Sequence, residues 1–445
     1  MYYPKEYKAL LKLGIPITIG QVGLTLQNLA DNIMVGRHST EELAAAGLVN
    51  NLFILAILLT IGYSVGAVSQ IGALYSQDRK ERIVEILKSS IVADFLQGLM
   101  IMLALVGLYF ALPFMGQPDE LLPLMRPYLV IQIASLPFMV LSGAFKQMTD
   151  SINDTSVSMT IMLIGNVWNI FFNWVLIFGN LGAPEMGIMG AAWATFSSRV
   201  VIFLLSVMVF FLRPKYKQYV MFWKSSKVKK KDVLLLNRLG WPIAIQMGME
   251  TASFSLVAIL IGWLGTNNLA AHQVMLNIAN AIFMFYVGIS NAVSIRVSNY
   301  NGLKSMVGVR QAAFAGYEII LLLGIILSVI AFSFRHEVSL LFTDNEEVAG
   351  IVSALALPLV LYQFGDGMQC TFANALRGLG DVKKLMWYSF LAYVVISLPL
   401  SYIFGITLGG GAFGVWMGFP FGLTTAAILY LRRFLQQAKL EQGVK

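Results

Sequence analysis

Leu13-Gly14-Ile15-Pro16-Ile17 recurs as Leu239-Gly240-Trp241-Pro242-Ile243, and at the same offset Leu43-Ala44-Ala45 recurs as Leu269-Ala270-Ala271 and Gly62 as Gly288. A register kept through two successive apolar runs marks a duplicated chain. Further on, Ala144-Phe145-Lys146 with Asp150 is mirrored by Ala375-Leu376-Arg377 with Asp381, and Gly187 with Gly190 by Gly411 with Gly414. Around these pairs lie twelve hydrophobic stretches, near 11–36, 43–75, 86–115, 122–148, 155–179, 183–212, 239–263, 269–301, 309–334, 348–376, 384–407 and 411–432. Each is long enough to cross about 30 Å of hydrocarbon as a helix. The expected fold class is therefore all-α integral membrane, with twelve transmembrane helices in two six-helix bundles. Because each copy holds an even number of spans, both have the same orientation and are related by a pseudo-two-fold axis along the membrane normal. The expected organisation is an N-terminal six-helix lobe over 1–212, a basic linker over 213–238 and a C-terminal six-helix lobe over 239–445.

Composition agrees. Of the 445 residues, 58% are hydrophobic and 12% charged, about half the charge of a soluble domain. The net charge of +8 does not mark a nucleic-acid partner, because its lysines and arginines sit in short connections between apolar runs. They gather in alternate connections: the N-terminus, Arg79 to Lys88, Lys146, Arg213 to Lys231, Lys304 and Arg310, Arg377 to Lys384, and Arg432 to Lys445. The opposite set, with Asp119, Glu120, Glu185 and Asp344 to Glu347, is nearly free of them apart from Arg37 and Arg335. The positive-inside rule then places both termini in the cytoplasm of a cell inner (plasma) membrane protein. No small-residue cleavage site follows the first residues, so no removable signal peptide is expected. The single Cys370 excludes an internal disulfide and a Cys-based zinc site.

An ionisable side chain inside a span is costly unless it faces a cavity or a partner. Asp31, Glu250 and Asp366 stand out on this rule. By helical rise, Asp31 lies about 7 Å inside the outer end of the first span, Glu250 about 16 Å from the cytoplasmic end of the seventh, and Asp366 about 15 Å from that of the tenth. The last two share the midplane. Two carboxylates at one depth are relieved by a proton or a bound cation, and Tyr362, one turn before Asp366, adds a phenol oxygen to an oxygen-rich cage suited to a hard ion such as sodium. The blander alternative is an acid that only holds helices together through hydrogen bonds.

In the first lobe, Asn166, Asn169 and Asn173 recur at i, i+3 and i+7 on one stripe of the fifth span. Asn173 matches Asp31 in depth, and Thr195 on the sixth span completes a polar pocket together with Gln27 and Asn28. Amides also serve as interhelical glue. His38 and His336 fall in external loops and are expected to be solvated, His272 to lie at the interface. The 22 methionines suit an adaptable cavity wall where they line one. Pro16 and Pro242 are expected near helix starts, where proline costs little.

Leu29-Ala30-Asp31-Asn32-Ile33-Met34-Val35-Gly36-Arg37, the run Leu43-Ala44-Ala45-Ala46-Gly47, the repeat Gly240-Trp241-Pro242 with Glu250, and Ala375-Leu376-Arg377-Gly378 with Asp381 together resemble the multidrug and toxic compound extrusion (MATE) family, in particular its NorM-like branch. The resemblance covers nearly the whole chain. It implies a V-shaped pair of six-helix bundles working by alternating access, and export of organic, often cationic or aromatic compounds driven by sodium or protons. It further implies that Glu250, Asp366 and Tyr362 form the second-lobe cation site, that Asp31 is the family's first-span acid, and that Asn169, Asn173 and Thr195 belong to the first-lobe network. Several proton-coupled relatives carry a second acid on the fifth span where this chain has Asn173.

The functional expectation is a cation-coupled multidrug efflux antiporter, sodium preferred over the proton, acting as a monomer, with no cofactor beyond the coupling ion and no enzymatic activity. No G-x-x-x-x-G-K-[ST] loop occurs, which argues against an ATP-driven pump. Phe364-Gly365-Asp366 follows Gln363 rather than Gly, and no H-E-x-x-H occurs, which argues against an intramembrane protease. The alternative is a flippase for lipid-linked oligosaccharides or lipids, which would call for several basic residues in the cavity; Arg199 is the one basic exception at membrane depth.

Overall fold

The computed structural model describes residues 3–114, 119–340 and 345–440. Among them, twelve helices are long and apolar enough to span a membrane: α1 (Pro4–His38), α2 (Thr40–Ser76), α3 (Lys80–Ala111), α4 (Leu122–Ser151), α5 (Thr155–Phe178), α6 (Ile188–Leu212), α7 (Lys230–Gly262), α8 (Thr266–Gly302), α9 (Met306–Ser333), α10 (Glu346–Leu379), α11 (Val382–Thr407) and α12 (Gly411–Leu440). The fold is thus the expected all-α membrane protein with twelve spans. Asp344 of the acidic connections and Lys445 of the basic tail lie outside the described residues.

Local chemistry places the helix ends. Asn345 caps α10, its Oδ1 accepting from the backbone N–H of Glu347 at 2.9 Å, and Gly380 ends the helix with φ 77°, a left-handed conformation that glycine adopts without a Cβ clash. Glu42 accepts from the N–H of Ile188 at the start of α6 (2.9 Å) and from His38 Nδ1 (2.7 Å), while His38 Nε2 reaches Glu185 at 3.1 Å. His38 is therefore hydrogen-bonded to two carboxyl groups at the end of α1 rather than a free, solvated loop residue. His272 likewise differs from expectation: it is fully buried, its Nδ1 accepting from Trp416 Nε1 at 3.1 Å.

The chain forms two compact units: residues 19–244, and residues 1–18 together with 245–445. The division runs inside α1 and α7, two residues beyond Pro16 and Pro242, whereas the sequence offered 212 and 239 as lobe edges. Both prolines are interior to their helices, not near the starts, because each helix begins about two turns or more before its apolar run.

The duplicated motif is a helix-crossing device. In the 19–244 unit, a Cβ on Gly66 of α2 would stand 2.8 Å from the backbone N of Gly240 of α7, and one on Gly240 would stand 2.7 Å from the carbonyl of Tyr63. In the other unit, a Cβ on Gly288 of α8 would stand 2.9 Å from the carbonyl of Gly14 of α1. Close backbone approach through small residues is how helices associate in lipid, where the hydrophobic drive is weak. Eight residues before each motif glycine stands a buried acid. Glu6 pairs with Arg296 (2.8 and 3.1 Å), and Asp232 pairs with both Nη atoms of Arg82 (2.7 and 2.6 Å).

The segment 213–229 is packed, not a loose tether: Tyr216 and Tyr219 are buried, and Lys88 of α3 donates to the carbonyls of Trp223 and Ser226. The Tyr216 hydroxyl donates to Asp154 at 2.8 Å. Burial, and then that carboxylate, raise the phenol above its ordinary range.

In α11, two π-helical stretches, Phe390–Ser397 and Ile403–Thr407, flank Leu398–Tyr402. The helix lies against a stripe on α12 formed by Gly414, Gly418 and Gly422. A Cβ on Gly418 would meet Ser401 Oγ at 2.0 Å, and one on Gly422 would meet Ser397 Cβ at 2.4 Å.

Candidate cation site and polar network

Helical spacing puts Tyr362 and Asp366 on one face of α10, both buried, and α7 brings Glu250 to them. Glu250 lies within electrostatic reach of both. Asp366 is 1% exposed and, among the described residues, its Oδ2 has no hydrogen-bond partner. The amide of Gln363 and the hydroxyl of Tyr286 are also buried without partners. Unpaired buried polar atoms are rare because each forfeits its hydration; several around one carboxyl fit a set of oxygen donors for a cation. The aromatic wall is built from α7 and α12: the Tyr362 ring stands 6.3 Å from Phe254, 6.2 Å from Phe419 and 6.4 Å from Trp416.

Glu250 has a tether that sequence reading missed. Gln246, one turn earlier, donates Nε2 to Glu250 Oε2 at 3.1 Å, while its Oε1 accepts from Arg377 Nη2 at 2.5 Å. Arg377 also donates to Asn374 at 3.3 Å. Read as one of the loop cations that set orientation, Arg377 instead turns inward and reaches the acid through an amide. Its place in the repeated Ala375-Leu376-Arg377 was the available signal.

In the 19–244 unit, Asn173 Nδ2 donates to Asp31 and to Asn169 Oδ1 (3.2 Å), and Asn169 Nδ2 donates to Thr195 Oγ1 (3.3 Å). The expected stripe thus forms one chain of hydrogen bonds, from Asp31 through both asparagines to Thr195. Asn166 is buried but its Nδ2 has no partner. Asn28 is exposed and Gln27 is buried. Arg199 turns into the bundle, donating to Ser135 Oγ at 2.5 Å and lying over the Phe53 ring at 5.4 Å.

Three acids inside spans was an undercount. Asp94 lies fully within α3, accepting from Ser64 and Ser90, and Glu318 of α9 accepts from the Tyr7 hydroxyl. Both follow from the same acid-in-span rule applied to the third and ninth runs.

The MatE family model matches residues 16–175 and 242–403. The chain is 31% identical to the "Multidrug resistance protein NorM" of Vibrio cholerae over 100% of this chain and 98% of that protein. It is 29% identical to the "Multidrug resistance protein MdtK" of Yersinia pseudotuberculosis over 97% and 95%. Among solved structures, an outward-facing "multidrug resistance MATE family transporter of the MOP superfamily" aligns with TM-score 0.88 at 22% identity, covering 99% of this chain and 97% of that one. The eukaryotic MATE transporter AtDTX14 aligns with TM-score 0.87 at 18% identity, covering 98% of each. With two matched segments that fall one in each half of a duplicated, twelve-span chain, the protein belongs to the MatE family of multidrug and toxic compound extrusion transporters.

Proposed function

We propose that this protein is a multidrug efflux antiporter of the cell inner membrane, with both termini cytoplasmic, that exports organic cationic or aromatic compounds in exchange for an inward cation, sodium in preference to the proton. The observation that carries the reading is the Asp366 carboxyl, buried and unpaired beside Tyr362 and coupled to Glu250. A sodium ion neutralises one carboxylate charge and takes the free oxygens as ligands. The names of the bacterial relatives support the drug-efflux half of the reading.

The residues divide the work. Glu250, Asp366 and Tyr362 bind the coupling ion. Gln246 holds Glu250 in place and Arg377 sets its electrostatic surroundings through that amide. The chain Asp31–Asn173–Asn169–Thr195 forms a separate site for substrate coupling or protonation. An inward monovalent ion gains about 2.3 kcal/mol from 100 mV and about 1.4 kcal/mol from a tenfold gradient. Exchange for one monovalent drug cation is electroneutral and leaves the concentration component.

The test is drug uptake into inverted membrane vesicles, whose lumen corresponds to the cell exterior, with sodium and proton gradients imposed separately. Ethidium transport driven by sodium alone is the expected result. Transport of an anionic glycolipid precursor with no movement of cationic dyes would replace this reading by the flippase.

A further inference from the structure

The buried acids of this protein fall into two groups. Asp150 pairs with Lys146, Asp154 with Arg213 and Lys215, Asp232 with Arg82, and Glu6 with Arg296. Such pairing is the usual condition for keeping a charge out of water. Asp94, 2% exposed in the middle of α3, is different. Among the described residues, what reaches its carboxylate is two hydroxyls: Ser64 Oγ of α2 donates to Oδ2 at 3.0 Å, and Ser90 Oγ, one turn earlier on α3, at 3.3 Å.

Two further buried polar groups neighbour Asp94 and Ser64 along their helices, and among the described residues neither has a hydrogen-bond partner. Gln97 stands three residues after Asp94 on the same helical face; it is 2% exposed and neither amide atom has a hydrogen-bond partner. Tyr63, next to Ser64 and electrostatically coupled to Asp94, is buried with its hydroxyl unpaired. Gly143 of α4 keeps backbone close to Ser64, where a Cβ would stand 3.2 Å from Oγ. A helix-to-helix hydrogen bond needs Asp94 and Ser64 alone. It does not account for a buried amide and a phenol that leave three polar atoms unsatisfied, at a cost of about 1–3 kcal/mol for each such group.

We infer that Asp94, Ser64, Ser90, Tyr63 and Gln97 form a further monovalent-cation site, sodium-binding, within the 19–244 unit and apart from both Asp31 and the Glu250–Asp366 pair. Carboxylate, hydroxyl, phenol and amide oxygens are the ligands a hard ion takes. A single carboxylate selects a single charge, since a divalent ion would leave net charge buried. As with Asp366 beside the phenol of Tyr362 and the amide of Gln363, a buried carboxyl has a phenol and an unpartnered amide close to it along the helices, although here the carboxyl already accepts from two hydroxyls.

The experiment is equilibrium binding of radioactive sodium to the purified full chain, with choline replacing sodium in controls. A chain carrying Asp31→Asn, Glu250→Gln and Asp366→Asn is expected to keep one saturable sodium per molecule, and adding Asp94→Asn is expected to remove it. Because that variant lacks the proposed coupling acids, the result stands apart from the coupling reading. No sodium on the folded triple variant, or sodium indifferent to Asp94→Asn, overturns the site. Gln97→Leu in the otherwise native chain gives a second measure that needs no buried charge altered. As a ligand substitution it weakens one class of sodium sites about tenfold, or about 1.4 kcal/mol. A purely structural Gln97 predicts unchanged sodium binding with equal or higher thermal stability, and that outcome also overturns the proposal.

Discussion

At the scale of single residues, the two acid sites make different demands. Glu250 is held by Gln246, which is itself held by Arg377, so Glu250→Gln removes the charge while keeping an acceptor for Gln246. Asp366 has a carboxyl oxygen with nothing bound to it, so Asp366→Asn changes charge with little change in shape. We expect each to abolish sodium-driven ethidium transport in vesicles while leaving expression in the membrane at the native level. Full sodium-dependent efflux by the double variant would reject the cation site. Asn173 is the donor that links Asp31 to Asn169. Asn173→Leu leaves Asp31 without that donor, and efflux is expected to fall about tenfold or more, the scale of one lost charge-assisted hydrogen bond. Sodium binding at the second site is expected to persist, and equilibrium binding checks the separation.

At the scale of elements, small residues set how closely helices approach. α11 departs from α-helical winding twice and lies on the Gly414–Gly418–Gly422 stripe of α12. π-Helical segments are often found at functional positions. Gly418→Leu would put a side chain where Ser401 already stands, and overpacking of this kind costs about 1–3 kcal/mol or more; a lowered midpoint of thermal aggregation in detergent is the expected readout. Asp232 is 1% exposed and holds the start of α7 to Arg82 through two hydrogen bonds. Removing one partner of a buried pair costs about 3–5 kcal/mol, so Asp232→Ala is expected to destabilise the protein far more than the double change Asp232→Ala with Arg82→Leu, measured in the same way.

For the whole molecule, orientation follows from the distribution of basic residues among connections. Ser225 is exposed in the packed segment 213–229, and Cys370 is buried against Ser290 at 3.1 Å. A Ser225→Cys chain with Cys370→Ser is therefore expected to react with an impermeant maleimide only in broken or inverted membranes; labelling of intact cells would reverse the assigned topology.

Twelve spans and the duplication were legible in the sequence because length and hydropathy are local properties, counted along the chain without knowing what packs where. The stripe Asn166–Asn169–Asn173 and the pair Tyr362–Asp366 were legible for a similar reason, since helical periodicity alone places residues three or four apart on one face. Tertiary structure decided what those faces meet. It brought Glu250 of α7 to Asp366 of α10, turned Arg377 inward onto Gln246, buried His272 against Trp416, and carried α1 and α7 from one compact unit into the other just past their prolines. The meeting of Glu250 and Asp366 was foreshadowed by their matched depth and Arg377 by its place in the repeat; the rest does not follow from a residue's type or spacing, because in lipid nearly every side chain of a span is apolar enough to face either way. Which polar groups end up together is fixed by the few positions, such as Gly14, Gly66, Gly240 and Gly288, where one backbone lies too close to another for any side chain to fit.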